Sequence, residues 1–333
     1  MKAAYYDRQG LAREVLVVGE LPDPEPGPGQ VRVRIHVSGL NPSDIKGRSG
    51  FAGAPMRFPR IVPHQDGAGV IDRVGAGVPE SRIGERVWLY EAQIGRPTGT
   101  AADYTVVPSI NAVALPDGVP FDVGACLGVA AMTAHRCLFA DGALRGRWVL
   151  VTGGAGAVGS AAILLAKWAG AHVATTISRP EQEAVVRRAG ADVIINRRTD
   201  DVPARVLEAT ANAGVARIVD VNLVDNLAAD LACLAPNGTV SAYATEHPDA
   251  ILSVPFLPTM LRGFVFRFVF VYLMPVEAHN DAIRDINDCI AAGAYRPAIA
   301  RCLPLDRIAE AHEAQASGGV IGKIVIQIAD QPS

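Results

Sequence analysis

Along the first 120 residues the apolar positions recur every second residue. The stretch "QVRVRIHVSG" alternates through Val31, Val33, Ile35 and Val37, the period of a half-buried strand. "GAGVIDRVGAGV" and "GERVWLY" read the same way, and turn-rich pieces such as "PDPEPGPGQ" separate them. A compact, mostly β domain is expected here. Near residue 120 the pattern changes. From Trp148 onward, strand-length runs ("WVLVTG", "HVATTI", "DVIIN", "ARIVDVN", "TVSAYA") alternate with stretches of helical period. That alternation predicts a parallel sheet covered by helices on both faces. After "FVFRFVFVY" comes a long helix over about 277–292, and the tail ends in a helix and a strand that return to the first domain. The expected division is 1–122 with 296–333 against 123–295.

A length of 333 residues suits two domains. The net charge of −3, without a lysine or arginine block, argues against a nucleic acid or an anionic membrane as partner. "MKAAYYDRQG" has no apolar stretch, so no secretory signal is expected. The most apolar run, 264–276, is too short to span a bilayer and contains Arg267. Five scattered cysteines with no C-x-x-C pair point to a reducing cytoplasm and away from a structural zinc lobe.

The strongest motif lies in "VLVTGGAGAVGSAAILLAKWAGA". Gly154, Gly156 and Gly159 form G-x-G-x-x-G directly after an apolar strand, and Val158, Ala162, Leu165 and Ala169 share one face of the following helix. In this context the glycines serve a tight turn, close approach of backbone to a pyrophosphate, and close helix–strand packing. The N–H groups of the helix start, at Ala157 and Val158, would face the phosphates. NAD enzymes usually carry a carboxylate at the end of the second strand. Here "HVATTISRPEQ" ends in Ser178 and Arg179, with no carboxylate before Glu181. Ser178 and Arg179 suit a 2′-phosphate, and Arg197 offers a second cation, so NADPH is the expected cofactor. A solvated loop end is the plain alternative for both arginines.

These features together resemble the medium-chain dehydrogenase/reductase superfamily over essentially the whole chain. "GLNPSDIKGRSG" (39–50), "PHQDGAGVIDRVGAGV" (63–78), "GTAADYTVVP" (99–108) and "TGGAGAVG" (152–159) resemble its zinc-free, zeta-crystallin-like quinone oxidoreductase branch. The resemblance implies an α/β fold, a doubly wound Rossmann domain beside a mostly β, GroES-like catalytic domain. It implies Asn41 beside the nicotinamide and adds Thr133 and Lys323 to the cofactor-facing residues. By the same comparison, the three metal-ligand positions of zinc-dependent relatives fall on Asn41, Gln65 and Val129, a set unsuited to zinc. His64 is one residue out of register, so a turn or substrate-cleft role is expected for it. The tyrosines that often follow the Asn in this branch are replaced by Lys46 and Ala52.

Without a metal, hydride transfer to a quinone or conjugated carbonyl is the expected reaction, with Asn41, Lys46, Arg48 or Gln65, or else solvent, polarising the acceptor or giving the proton. An enone, enoyl-thioester or alkenal reductase is the alternative within enzymes. An NADPH-binding structural or sensor protein without turnover is the alternative of another class. The apolar run 264–273 is expected to be an edge strand paired with its copy in a homodimer.

Overall fold

The computed structural model describes residues 1–329, which fall into two units: Met1–Ala130 with the chain from Ile299 onward, and Ala131–Ala298. The first unit starts with an antiparallel ribbon, β1 (Lys2–Tyr5) and β2 (Val17–Glu20), around one helical turn, α1 (Ala12–Val15). Then follow β3 (Gln30–Gly39), α2 (Pro42–Ser49), β4 (Asp66–Val74), β5 (Arg86–Leu89), β6 (Tyr104–Pro108), β7 (Ala112–Ala114) and α3 (Phe121–Gly124).

The second unit runs through α4 (Met132–Phe139), β8 (Trp148–Val151), α5 (Ala157–Trp168), β9 (His172–Ile177), α6 (Glu183–Arg188) and β10 (Val193–Asn196). It continues with α7 (Val202–Ala209), β11 (Val215–Asp220), α8 (Leu223–Cys233), β12 (Leu234–Ala242), α9 (Phe256–Arg262), β13 (Val265–Phe268) and α10 (Val276–Ala291). The chain then re-enters the first unit as β14 (Ile299–Pro304), α11 (Ile308–Ala316) and β15 (Lys323–Gln327).

In the first unit the sheet order is β14-β15-β3-β4-β5-β7, with β6 on β3. The period-2 residues of β3 are fully buried, but the strand is not half-buried as its alternation suggests. Arg32, His36 and Ser38 on the opposite face are 4%, 2% and 0% exposed. Each is covered by a specific partner: Arg32 makes a two-pronged ion pair with Asp72 and lies over the Tyr104 ring, and His36 stacks on Phe121 at 4.5 Å. Ser38 is hydrogen-bonded to His64 and Thr100. Strand alternation marks side-chain polarity, and tertiary partners decided the burial.

The second unit is an all-parallel sheet in the order β10-β9-β8-β11-β12-β13. Strand order reverses between β8 and β11, and ligands of such sheets bind at the carboxyl ends of the strands beside that reversal. Helix α5 is apolar around most of its girth and buried from Gly159 to Ala166, as a helix covered on several sides must be. The expected ten-residue strand at 264–273 is only four residues long, Val265–Phe268, at the sheet edge. Val271–Leu273 turns into a 3₁₀ helix instead, ahead of Pro275 at the start of α10. Among the described residues no helix is long and apolar enough to cross a membrane.

Candidate functional site

Residues 41–44, "NPSD", start α2 with the chemistry of a helix N-terminus. Asn41 is the N-cap, Pro42 stands at the first helical position, and Asp44 Oδ2 accepts the Asn41 backbone N–H at 2.7 Å. Burial pushes the Asp44 carboxyl up to about 8, against the lowering effect of that N–H. The Asn41 side chain is buried, at 1% exposed. Its Nδ2 donates to Asp66 Oδ2 at 2.8 Å, and its Oδ1 accepts from Lys323 Nζ at 2.5 Å. Lys323 Nζ also donates to Asp66 Oδ2 at 2.8 Å, closing a three-membered ring. The other carboxylate oxygen of Asp66 accepts Val129 N–H at 2.8 Å. A Cβ on Gly128 would stand 2.2 Å from Asp66 Oδ1, so only glycine allows this approach.

This ring fixes the carboxamide of Asn41 without ambiguity. An ammonium can only donate and a carboxylate can only accept, so Oδ1 must face Lys323 and Nδ2 must face Asp66. The ion pair is fully buried, which is costly unless both charges are hydrogen-bonded. Here Asp66 has three donors and Lys323 two acceptors.

Three assignments from sequence change. Arg48 is 4% exposed and donates to the Gly10 carbonyl and to His312 Nδ1, so it supports α2 from inside and is no acceptor-facing donor. Gln65 Oε1 accepts the N–H groups of Gln93 and Ile94, and its Nε2 donates to Gln93 Oε1. It anchors the 91–96 loop. Lys323 directs its ammonium to Asn41 and Asp66, so what it fixes directly is those two side chains. Lys46 is half-buried, with its ammonium 4.5 Å from the Phe51 ring centroid. His64 is a turn residue, at φ 80°, but no cleft residue: it is 0% exposed and both ring nitrogens are engaged, by Ser38 and His312. The residues missed from sequence are Asp44, Asp66 as the hub, Gly128 and His312. Asp44 alone had a readable signal, as the third residue after a helix-capping Asn.

In the second unit, the loop after β8 meets α5 through the glycine motif. Gly153, outside the motif, takes the left-handed conformation at φ 65°. A Cβ on Gly154 would come within 2.0 Å of Thr175 Oγ1, and one on Gly159 within 2.4 Å of the Gly153 carbonyl. The turn therefore belongs to Gly153, and Gly154 and Gly159 serve close packing. A Cβ on Gly156 would meet only the Gly153 carbonyl, at 3.4 Å. That backbone faces open space at the N-terminus of α5, where the N–H groups of Ala157 and Val158 begin the helix. The cradle thus fits a dinucleotide pyrophosphate.

At the end of β9, Gln182 Oε1 accepts the N–H groups of Ser178 and Arg179 at 2.8 and 3.0 Å, which fixes that turn with both residues half-buried. Arg197 is exposed, and its N–H donates to the Ile177 carbonyl at 2.9 Å, so it follows β10 beside the same strand end. The buried carboxylate of this sheet is Asp220, at the end of β11. It accepts from Thr152 Oγ1, Asn226 Nδ2 and Asn222 N–H and so ties the loops on both sides of the strand-order reversal. Thr133, on α4, is 4% exposed.

Residues 27–117 match the alcohol dehydrogenase GroES-like domain and residues 189–326 match the zinc-binding dehydrogenase domain. A zinc-type alcohol dehydrogenase-like protein of Schizosaccharomyces pombe is 30% identical, over 88% of this chain and 89% of its own. The chain belongs to the medium-chain dehydrogenase/reductase family. A quinone oxidoreductase of Sus scrofa is 28% identical over 88% of this chain and 87% of its own. A mycobacterial structure described as complexed with NADPH superposes with a TM-score of 0.85 at 26% identity, covering 98% of this chain and all of that one. The chain sits with the quinone oxidoreductase-like members of the family.

The family includes zinc enzymes, and the residues here do not fit that ion. Of the three ligand positions, Asn41 carries a carboxamide already facing an ammonium, Gln65 is turned to the 93–94 backbone, and Val129 offers only its N–H to Asp66. A dication would have to share Asn41 and Asp66 with the Lys323 ammonium. Among the described residues no other cluster of three His, Cys, Asp or Glu side chains could hold a metal.

Proposed function

We propose that this oxidoreductase uses NADPH to reduce a conjugated acceptor, a quinone or an α,β-unsaturated carbonyl, without a metal. The observation that carries the reading is the Asn41–Asp66–Lys323 ring: a carboxamide stands at one of the positions where zinc-dependent relatives place a ligand, and a buried ammonium and carboxylate are bonded to it. Oxidising an unactivated alcohol requires an alkoxide at neutral pH, and zinc generates it by lowering the pKa of the bound oxygen. Hydride delivered to a conjugated acceptor moves charge onto an oxygen through the π-system, where one oriented donor suffices. Bound NADPH supplies that hydride.

The chain's own residues would divide the work. The N–H groups opening α5, with Gly156, cradle the pyrophosphate. Ser178 and Arg179, with Arg197 nearby, hold the 2′-phosphate. Asn41 faces the nicotinamide through its carboxamide, held in orientation by Asp66 and Lys323. Lys46, on α2, is the candidate proton donor. A second reading, reduction of an enone or other activated alkene in place of a quinone, is favoured by a relative named 2-haloacrylate reductase from Burkholderia, 30% identical over 80% of this chain and 81% of its own.

We also propose a homodimer through the edge of the second unit. Val265 and Phe268 of β13 are 42% and 70% exposed, and Phe256, Leu261 and Leu273 exceed 70%. Strand edges of this composition need a cover.

NADPH consumption with naphthoquinones, enones and enoyl thioesters, against NADP-dependent oxidation of primary and secondary alcohols, tests the function. Turnover of a conjugated acceptor is expected. Good alcohol oxidation with every conjugated acceptor inert would overturn it.

A further inference from the structure

A buried chain of side chains runs from the last turn of α2 to the start of β4. Arg48 Nε meets His312 Nδ1 at 3.3 Å, and His312 Nε2 meets His64 Nε2 at 3.0 Å. His64 Nδ1 meets Ser38 Oγ at 2.7 Å, Ser38 Oγ meets Thr100 Oγ1 at 2.7 Å, and Thr100 Oγ1 donates to the Asp66 carbonyl. Arg48, Ser38, His64, Thr100, Asp66 and His312 are each at most 4% exposed.

Both ends of this chain fix its direction. A guanidinium cannot accept, so His312 Nδ1 must present its lone pair and His312 must carry its proton on Nε2. That proton points to the lone pair of His64 Nε2, which leaves His64 protonated on Nδ1 and donating to Ser38. Ser38 then donates to Thr100, and Thr100 to Asp66. A carbonyl cannot donate, so the far end demands the same order. Ring planes 18° apart with centroids at 5.2 Å and nitrogens at 3.0 Å mean that the two imidazoles meet edge to edge, as an in-plane N–H···N bond needs. A second proton on either ring would set two N–H groups against each other or against Arg48. The chain can neither reverse nor relay a proton, because an arginine stands at its head.

What the chain does instead is close a brace. Asn41 and Arg48 bracket α2. Asp66, at the other end, holds the Asn41 carboxamide through its own side chain. His64 sits at φ 80°, a left-handed conformation that strains a non-glycine residue. Its backbone is locked as well: His64 O accepts Thr100 N–H at 3.1 Å, and a Cβ on Gly99 would stand 2.2 Å from that oxygen. A ring in so constrained a place, bonded at both nitrogens, is held for its position.

We propose that His64 and His312 form a rigid, one-directional strut that sets the position of Asn41 through Asp66, making His312 a positioning residue for the reduction proposed above. It rests on that reading only for its effect on turnover; the geometry of the strut is separable.

Two measurements on the full-length protein test it. Nitrogen-15 spectra of the imidazoles at pH 7 should show His312 as the Nε2–H tautomer and His64 as the Nδ1–H tautomer, both neutral. The opposite tautomer or an imidazolium at either residue overturns the strut, whatever the enzyme reduces. For turnover, His312→Leu should lower kcat by on the order of tenfold while NADPH binding and acceptor KM stay within about twofold, the signature of misplacement rather than lost contact. His312→Gln, which can accept from Arg48 and donate to His64, should restore most of the loss. His64→Gly, where glycine adopts φ 80° freely, covers the case in which the leucine variant does not fold, and should lose turnover likewise. Unchanged kcat in the folded variants, or equal loss in His312→Gln and His312→Leu, overturns the positioning role. If the unaltered protein reduces no conjugated acceptor, the functional reading fails and the spectra still decide the strut.

Discussion

Lys323 Nζ lies 2.5 Å from Asn41 Oδ1, although 282 residues separate them. The contact joins the last strand of the first unit to the N-cap of its second helix. With Asp66 bonded to both, a charge, a countercharge and an amide are held with no rotational freedom. Lys323→Met would leave Asp66 buried without its cation. Breaking a buried pair from one side costs about 3–5 kcal/mol, so a clear drop in the urea midpoint is expected. Unchanged stability would mean that the pair is not buried in solution.

Asn41→Ala should lower turnover of a conjugated acceptor more than it weakens NADPH. The carboxamide is proposed to act at the nicotinamide, and the phosphates are proposed to be held by residues of the second unit. Stopped-flow turnover beside fluorescence titration of NADPH separates the two. A loss confined to NADPH affinity would remove Asn41 from the chemistry.

Arg179→Ala should weaken NADPH roughly ten- to a hundredfold, the scale of a charged hydrogen bond of about 1.5–3 kcal/mol. NADH should bind nearly as before, since it has no 2′-phosphate. If both cofactors lose equally, Arg179 serves the turn at 178–182 and not the phosphate.

Acid should weaken the fold through the two buried histidines. Burial holds His64 down to about 3 and lowers His312 well below the ordinary histidine value, Lys323 adding to the first effect and His64 to the second. Each folded pKa is depressed, so below about pH 6.5 the unfolded chain binds protons that the folded chain refuses. The stability present above that pH drains away toward pH 3, by up to about 1.4 kcal/mol per pH unit for each histidine. Urea midpoints at pH 7 and pH 5 should fall further for the unaltered protein than for His312→Leu. Equal falls would place the acid sensitivity elsewhere.

Light scattering at micromolar concentration should give a dimer mass, and Phe268→Glu, on the exposed edge of β13, should shift it to monomer. A monomer before substitution would leave the exposed residues of α9 and β13 without the proposed cover.

Local sequence determined much of this protein. The β-rich start, the strand–helix alternation after Trp148 and the glycine motif are each set by residues close together along the chain, through side-chain period and backbone sterics. The carboxylate-free end of β9 is equally local. So is the helix start at "NPSD", where Asn, Pro and Asp each satisfy a demand of the first turn. What the sequence could not show is which polar groups meet. Arg48 and Gln65 look available as letters. Folding gave Arg48 to His312 and Gly10, and Gln65 to the backbone at 93–94. His312 and Lys323 reach the site only because β15 pairs antiparallel with β3 and α11 packs beside it. A run of aromatic and β-branched residues promised a long strand at 264–273, but pairing with β12 ended after Phe268 and the chain turned. Hydrogen bonds between distant side chains depend on register and burial, and those are fixed by the packed structure, not by neighbours in the chain.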